Sequence, residues 1–328
     1  MTTVYTLEPT EHVDALRLRV EEGLQDLSFP ASPAGLYDPV RYVMDGQGKR
    51  LRPLLLLLTA EAFGGEIANA LPAALAVEIF HNFTLVHDDI MDHADTRRGQ
   101  PTVHTKWDRA TAILTGDLLM GKAYQLLASI PSDLVAPAQQ RFYRTVSRLC
   151  EGQALDMGFE TQAEVTVDAY LDMIDRKTGA LLESCFELGG LLGRANEAVL
   201  DELCVLGRAL GRAFQIQDDL LDLVADDARW GKQVGGDLME GKKAYLLLRA
   251  LERAEGANRT YFKQIVADGG LPPAQVADAR KRMEALGVLE DARTAVETHT
   301  EAAMQKLERL PAGDARHALQ WLVRKMQT

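Results

Sequence analysis

Apolar residues recur at helical spacing along almost the whole chain. Residues 11–26 (EHVDALRLRVEEGLQD) carry the three-to-four-residue recurrence of a surface helix. A connector, SFPASPAG at 28–35, leads to a short helix at 36–45. QGKR then opens into a very apolar helix at about 51–63. Another runs from about 70 to 93, with Pro72 near its first turn, where a missing N–H is tolerated. The same pattern predicts helices at about 107–128, 134–161, 167–190, 196–226, 241–266, 273–284, 289–308 and 313–326. Sustained period-2 alternation bounded by turn dipeptides is missing, so no strand is expected. No linker is long enough to separate domains, and residues 1–328 read as one all-α domain.

Two places interrupt the apolar pattern with acids. LVHDDIMDHADTRRGQPTVH, residues 85–104, reads as the end of a core helix, yet carries Asp88, Asp89, Asp92 and Asp95, then Arg97 and Arg98. Asp88 and Asp92 lie four residues apart, on one helix face, with Asp89 turned about 100° away. Like charges at that spacing destabilise a helix, and a solvated acidic face is the common explanation for one such motif. FQIQDDLLD, residues 214–222, repeats the spacing with Asp218, Asp219 and Asp222, again in apolar surroundings. If the two helices face one another, six carboxylates meet. Such a density needs protons or divalent cations. Oxygen ligands on rigid helices suit Mg²⁺ with open positions for phosphate oxygens. Neither motif supplies the histidines or thiolates of a zinc site, or the Glu-x-x-His unit of a ferritin-like one.

Cations recur beside the acids. GKRLRP (48–53) supplies Lys49, Arg50 and Arg52; RKTG (176–179) supplies Lys177 and Thr178; Lys232 lies in the glycine-rich stretch after the second motif. Each alone is commonly a solvated charge, but together they provide the charge-assisted donors that a diphosphate needs. The formal net charge of -12 argues against nucleic acid or an anionic membrane as partner, though not against a small anion. Three scattered cysteines, Cys150, Cys185 and Cys204, read as reduced core thiols. The N-terminal residues show no basic-apolar signal segment, and no apolar run is long enough to span a bilayer. A cytoplasmic protein without stable membrane insertion is expected.

Taken in order, GKRLRP, HNFTLVHDDIMDHADTRRGQPTVH, EGQALDMGFE (Gly152, Gln153, Asp156), RKTG and FQIQDDLLDLVADDARWGKQVGGDLMEGKK resemble the motifs of the trans-type isoprenyl diphosphate synthases. This is the farnesyl/geranylgeranyl diphosphate synthase family. The resemblance implies an isoprenoid synthase fold, a helical bundle around a deep central cavity, usually homodimeric. It implies Asp88, Asp92 and Asp218 as principal ligands of three Mg²⁺, supported by Asp89, Asp219 and Asp222. Arg97, Lys177 and Lys232 would contact the allylic diphosphate, with Thr178 and Gln215 beside it. Lys49, Arg52, His81 and Arg98 would hold isopentenyl diphosphate. His81 lies seven residues before Asp88, two turns along the same face; His87 and His93 flank the acids away from that face.

Phe83 and Thr84 occupy the family's chain-length positions, the fifth and fourth before the first aspartate. One aromatic there, without an insertion in the motif, resembles a short-chain synthase that elongates dimethylallyl, geranyl or farnesyl diphosphate to C20. Farnesyl diphosphate (C15) is the alternative product. A terpene cyclase or a non-catalytic prenyl synthase subunit is more distant, because both acid motifs and the basic element are intact. Two departures stand out: Gln47 where a glycine is common, and GKKAYL (241–246) where the family often has GKxTLP. A helix there would start without its usual proline, and a hydroxyl would be missing.

Overall fold

A computed structural model describes residues 7–46, 48–225 and 234–326. The described chain is almost entirely helical and forms two compact units. The first comprises the chain up to Arg144, Glu183–Val205 and Lys306–Lys325; the second comprises Thr145–Leu182 and Leu206–Gln305.

In the first unit, α4 (Ile67–Met91) packs chiefly on α6 (Arg109–Leu127) and α3 (Leu51–Ala62). It is apolar on nearly every side through Val86, which requires neighbours all round. On α3, Leu54 to Leu58 expose no surface. Full burial of a leucine is worth roughly 2 kcal/mol over exposure, so this helix too must be covered on several faces. α1 (Pro9–Gln25) and α16 (Asp314–Lys325) pack on each other and on α3, while α2 (Ala34–Met44) and α5 (Val103–Lys106) pack on α6. α6 begins where Asp108 accepts a hydrogen bond from the Thr111 N–H at 2.8 Å, an N-cap.

The end of α4 places the first acid motif. Asp92 is the C-cap, and His93 follows at φ 52°. The Ala94 N–H then donates back to the Asp89 carbonyl at 3.0 Å, the six-residue bond of a Schellman motif with histidine in the usual glycine place.

Against the expectation of no strand, β1 (Thr96–Arg97) and β2 (Gln100–Pro101) form a two-residue antiparallel ladder, Thr96 opposite Pro101 and Arg97 opposite Gln100. Arg98 and Gly99, at φ 52° and 75°, supply the two positive φ values that a type I′ turn needs. An Arg-Gly pair lacks the Asn or Asp that usually announces this turn, and two residues are too few for alternation to register.

The second unit contains the latter part of α7 (Ser132–Thr161), α8 (Val167–Ile174), a π-helical turn (Asp175–Gly179) and the start of α9 (Ala180–Leu192). It also contains the latter part of α10 (Glu197–Val224), then α11 (Gly236–Met239), α12 (Tyr245–Arg253), α13 (Gly256–Ala267), α14 (Val276–Ala285) and most of α15 (Val288–Leu307). Its core gathers Tyr170, Met173, Ile216, Leu220, Leu247, Phe262 and Met283. The single helix expected over 241–266 is two. Ala254 is extended at ψ 139°, and Gly256 restarts the chain at φ 51°. Ala254 is fully buried and polar residues follow it, so apolar spacing alone carries across the break.

The described residues include no helix long and apolar enough to cross a membrane. All three cysteines are free. Cys185 is buried, and burial pushes its thiol pKa up to about 12. Cys150 is exposed, which corrects the expectation of a core thiol.

Candidate active site

The first acid motif stands at the wrong end of its helix for negative charge. Asp88, Asp89 and Asp92 occupy the last turn and C-cap of α4, where the macrodipole is already negative. Asp89 is buried at 5% exposure and accepts from Arg97 Nε at 2.7 Å. Burial raises its carboxyl pKa, and Arg97 opposes the shift. The hairpin turn therefore brings one predicted diphosphate contact onto one predicted metal ligand.

A basic cradle forms in the same unit around the start of α3. Arg52 Nη1 lies 3.1 Å from His81 Nε2. A guanidinium only donates, so Nε2 accepts and the His81 proton sits on Nδ1. Burial first, then Arg52, Arg98, Arg97 and Arg50, holds the His81 pKa far below the usual imidazole range. His81 is thus a neutral residue whose Nδ1–H remains a donor. Arg50 and Arg98 also converge: a Cβ on Gly48 would stand 3.3 Å from Arg50 Nη1 and 3.4 Å from Arg98 Nη1. Arg52 Nε is buried without a hydrogen-bond partner. Guanidiniums gathered this closely are stabilised by an anion, and two or three can fork onto phosphate oxygens. Lys49 is exposed beside them.

One residue holding this cradle was not singled out by sequence. Glu78, 4% exposed on α4, accepts from Arg50 Nη1 at 2.8 Å. Arg50 also donates to the Gly46 carbonyl at 3.0 Å and sits at φ 51° as the N-cap of α3. An acid inside the apolar run ALAVEIF was the available signal. Arg50→Met strands a buried carboxylate and is expected to cost about 3 kcal/mol, whereas Arg50→Met combined with Glu78→Leu recovers most of it. Denaturant midpoints of the two variants check this; equal losses would mean that the pair is not coupled.

In the second unit a hydrogen-bond chain ties the second acid motif to the Lys-Thr pair. Thr178 Oγ1 donates to Gln215 Oε1 at 3.1 Å, and Gln215 Nε2 donates to Asp219 Oδ1 at 3.0 Å. The other Asp219 oxygen accepts from the Tyr170 hydroxyl at 2.5 Å and from the Tyr245 N–H at 3.0 Å. Burial is the main cause that pushes the Asp219 pKa up to about 7, with Asp237 adding to it and these donors opposing. Asp219 thereby caps α12, whose N-cap Ala244 offers no side-chain bond. At the GKKAYL departure the helix starts without its proline: Leu246, where the family often has Pro, is its second residue, and Asp219 caps the turn by taking the Tyr245 N–H. Asp222 Oδ2 likewise accepts from the Asp237 N–H at 3.2 Å. Asp218 is half-buried on α10.

Lys177 and Thr178 sit in the π-helical turn, where an extra residue per turn reorients side chains. Lys177 Nζ donates to Asp156 Oδ2 at 2.6 Å. The turn is fixed from behind by Asp175, which accepts from Arg212 Nε and Nη2 at 2.7 and 2.6 Å, and whose carbonyl accepts from Arg148 at 3.0 Å. Gly152 lets the backbones touch: a Cβ there would lie 2.3 Å from the Lys177 nitrogen. Tyr170, Asp175 and Arg212 were not singled out by sequence, because apolar or charged residues at ordinary helical spacing carry no sign of such a role.

The predicted site residues thus fall into two groups. Lys49, Arg52, His81, Phe83, Thr84, Asp88, Asp89, Asp92, Arg97 and Arg98 belong to the first unit; Lys177, Thr178, Gln215, Asp218, Asp219 and Asp222 belong to the second. Lys232 and Gln47 lie outside the described residues. The donor set of both acid motifs is carboxylate oxygen at helix C-termini, which fits a hard divalent cation. Among the described residues no three His, Cys, Asp or Glu side chains form a ready-made metal cage. Mg²⁺ ordinarily takes only one or two carboxylates and completes its shell with water and substrate phosphate.

A helical protein with paired acid motifs, a basic cradle and a Lys-Thr turn belongs to a class handling diphosphates. The polyprenyl synthetase family model matches residues 33–283. A geranylgeranyl diphosphate synthase of Methanosarcina mazei is 44% identical over 246 residues, 74% of this chain and 76% of that protein. The crystal structure of geranylgeranyl pyrophosphate synthetase from Pyrococcus horikoshii superposes with a TM-score of 0.91 at 36% identity, covering 97% of this chain and 98% of that one. A polyprenyl synthase from Caulobacter crescentus, complexed with calcium and isoprenyl diphosphate, matches with a TM-score of 0.87 at 26% identity, covering 98% and 97%. The chain belongs to the polyprenyl synthetase family of trans-type isoprenyl diphosphate synthases, and it is a short-chain prenyltransferase with the all-α isoprenoid synthase fold. A divalent metal accompanies the isoprenyl diphosphate in that family structure.

Proposed function

We propose that this chain condenses isopentenyl diphosphate with dimethylallyl, geranyl and farnesyl diphosphate in turn and releases geranylgeranyl diphosphate. The observation that carries this reading is the combination of two intact DDxxD motifs with the cradle of Arg52, His81 and Arg98. Similarity to geranylgeranyl diphosphate synthases supports the C20 product. In this reading Asp88, Asp92 and Asp218 are the principal ligands of three Mg²⁺, aided by Asp89, Asp219 and Asp222. Bound Mg²⁺ supplies charge neutralisation on the departing diphosphate.

Arg97, Lys177 and Lys232 hold the allylic diphosphate. An ammonium carries three donors, so Lys177 can keep Asp156 and still reach a phosphate oxygen. Gln215 is pinned at both ends of its amide, which fixes Oε1 beside the Thr178 hydroxyl. The allylic C–O bond breaks with both electrons leaving on the diphosphate. The oxygens of Thr178 and Gln215 stabilise the carbocation, the alkene of isopentenyl diphosphate attacks it, and the released proton goes to the diphosphate. Lys49, Arg52 and Arg98, with the Nδ1–H of His81, hold the second diphosphate without metal. Preorganised charge of this kind is the largest lever on an ionisation step. Apolar walls keep water from the cation. We place the working enzyme in the cytoplasm as a homodimer.

The test offers each primer with Mg²⁺ and excess isopentenyl diphosphate and sizes the dephosphorylated products. C20 from all three primers is the expected result. A stop at C15 overturns the product, and no elongation from any primer overturns the reaction.

A further inference from the structure

The histidine beside the first aspartate packs against its neighbours. His87 is half-buried, and its ring meets that of Phe83 edge-on with centroids 4.7 Å apart. On its other side Phe83 meets Phe80 at 5.2 Å. The three rings follow one another along α4 at i, i+3 and i+7, so one helix face presents a continuous aromatic stack. Phe80 is fully buried and meets Phe142 at 4.9 Å, which anchors one end.

His87 anchors the other end, and α6 is shaped to receive it. Its Nε2 lies 3.2 Å from the Ile113 carbonyl. A carbonyl only accepts, so Nε2 carries the proton and donates. One turn further along α6, Gly116 leaves the space that the imidazole fills: a Cβ there would stand 2.2 Å from Nε2 and 2.4 Å from Cδ2. Glycine inside a helix is less stable than alanine, a cost offset here by the seating of this ring. Phe83 has no polar group to fix it, and it packs against a ring on either side.

We propose that His87 is a positioning residue for Phe83: seated on the Ile113 carbonyl against Gly116, it holds the Phe83 ring at the angle that sets product length. This rests on Phe83 being the stop to elongation. Without the imidazole, Phe83 gains a ring-sized space on the side toward α6 and turns into it. The stop loosens while the metal and diphosphate residues stay untouched.

The experiment compares product-length distributions of Phe83→Ala, His87→Ala and the double variant, from farnesyl diphosphate with excess isopentenyl diphosphate. Phe83→Ala is expected to move most product beyond C20, and His87→Ala to move a smaller share beyond C20 at an incorporation rate within about threefold of the parent, a change of about 0.7 kcal/mol in barrier. The double variant should match Phe83→Ala, since His87 acts through the ring already removed. If His87→Ala fails to fold, His87→Asn keeps a donor but withdraws the ring and should lengthen products in the same way. Unchanged products in the His87 variants, with lengthening in Phe83→Ala, overturn the positioning role alone. Unchanged products in Phe83→Ala overturn the stop itself. Lengthening in the double variant well beyond Phe83→Ala makes His87 an independent barrier and overturns action through Phe83.

Discussion

Asp92→Asn is expected to slow elongation by at least about 10³-fold while slightly stabilising the metal-free protein. The two effects have separate origins. Loss of a ligand removes several kcal/mol of transition-state charge stabilisation, and about 4 kcal/mol corresponds to 10³ in rate. The folded chain, by contrast, gains. Asp92 is exposed at the C-cap of α4, facing the negative end of the macrodipole and one turn from Asp88. Removing its charge relieves both repulsions, worth about 0.5 kcal/mol together. Thermal unfolding in a chelator, set beside initial rates over a range of Mg²⁺ concentration, checks the pair. A variant that loses stability and rate together would make Asp92 a structural residue. An unchanged rate would remove it from the ligand set.

That opposition explains why the acid motifs could be read from sequence. One such motif is commonly a solvated acidic face, but two copies at one spacing, each ending an apolar helix, point to a shared ligand. The helices were legible for a related reason: α3 and α4 must be covered on most sides, so their apolar runs are long. What escaped notice depends on contacts between distant parts of the chain. Glu78 reveals its partner Arg50 only once α3 and α4 are packed. The Arg98-Gly99 turn and the restart at Gly256 rest on single backbone angles. The π-helical turn at RKTG hides inside a pattern that continues apolar on both sides. His87 looked peripheral because its helical angle departs from the acid face; the glycine that receives it lies 29 residues further on.

Gly152 shows how a packing requirement and a chemical one coincide. Alanine at an interior helix position normally stabilises by about 1 kcal/mol over glycine. At position 152 the new Cβ would lie 2.3 Å from the Lys177 nitrogen, 2.7 Å from its Cα and 2.8 Å from the Arg176 carbonyl carbon. Those atoms are backbone and cannot rotate away. They belong to a turn pinned on its far side by the forked Asp175–Arg212 pair, with Gly211 pressed against Gly179 as closely as 2.7 Å by the same measure. Overpacking against a pinned backbone costs about 3 kcal/mol, so the clash outweighs the propensity gain and Gly152→Ala should lose about 2 kcal/mol net. The turn must also yield, moving Lys177 and Thr178 off their bonds to Asp156 and Gln215. A displacement near 1 Å costs about 10² in rate. Gly158→Ala is the control: it lies on the same helix, and its Cβ would meet only Gln162 Nε2, at 3.9 Å. That variant should be as active as the parent and slightly more stable. Denaturant midpoints and kcat for the two alanine variants decide the matter. If Gly152→Ala is as stable and as active as Gly158→Ala, the turn is softer than its ion pair and glycines imply, and the placement of Lys177 and Thr178 must be fixed by bound substrate instead.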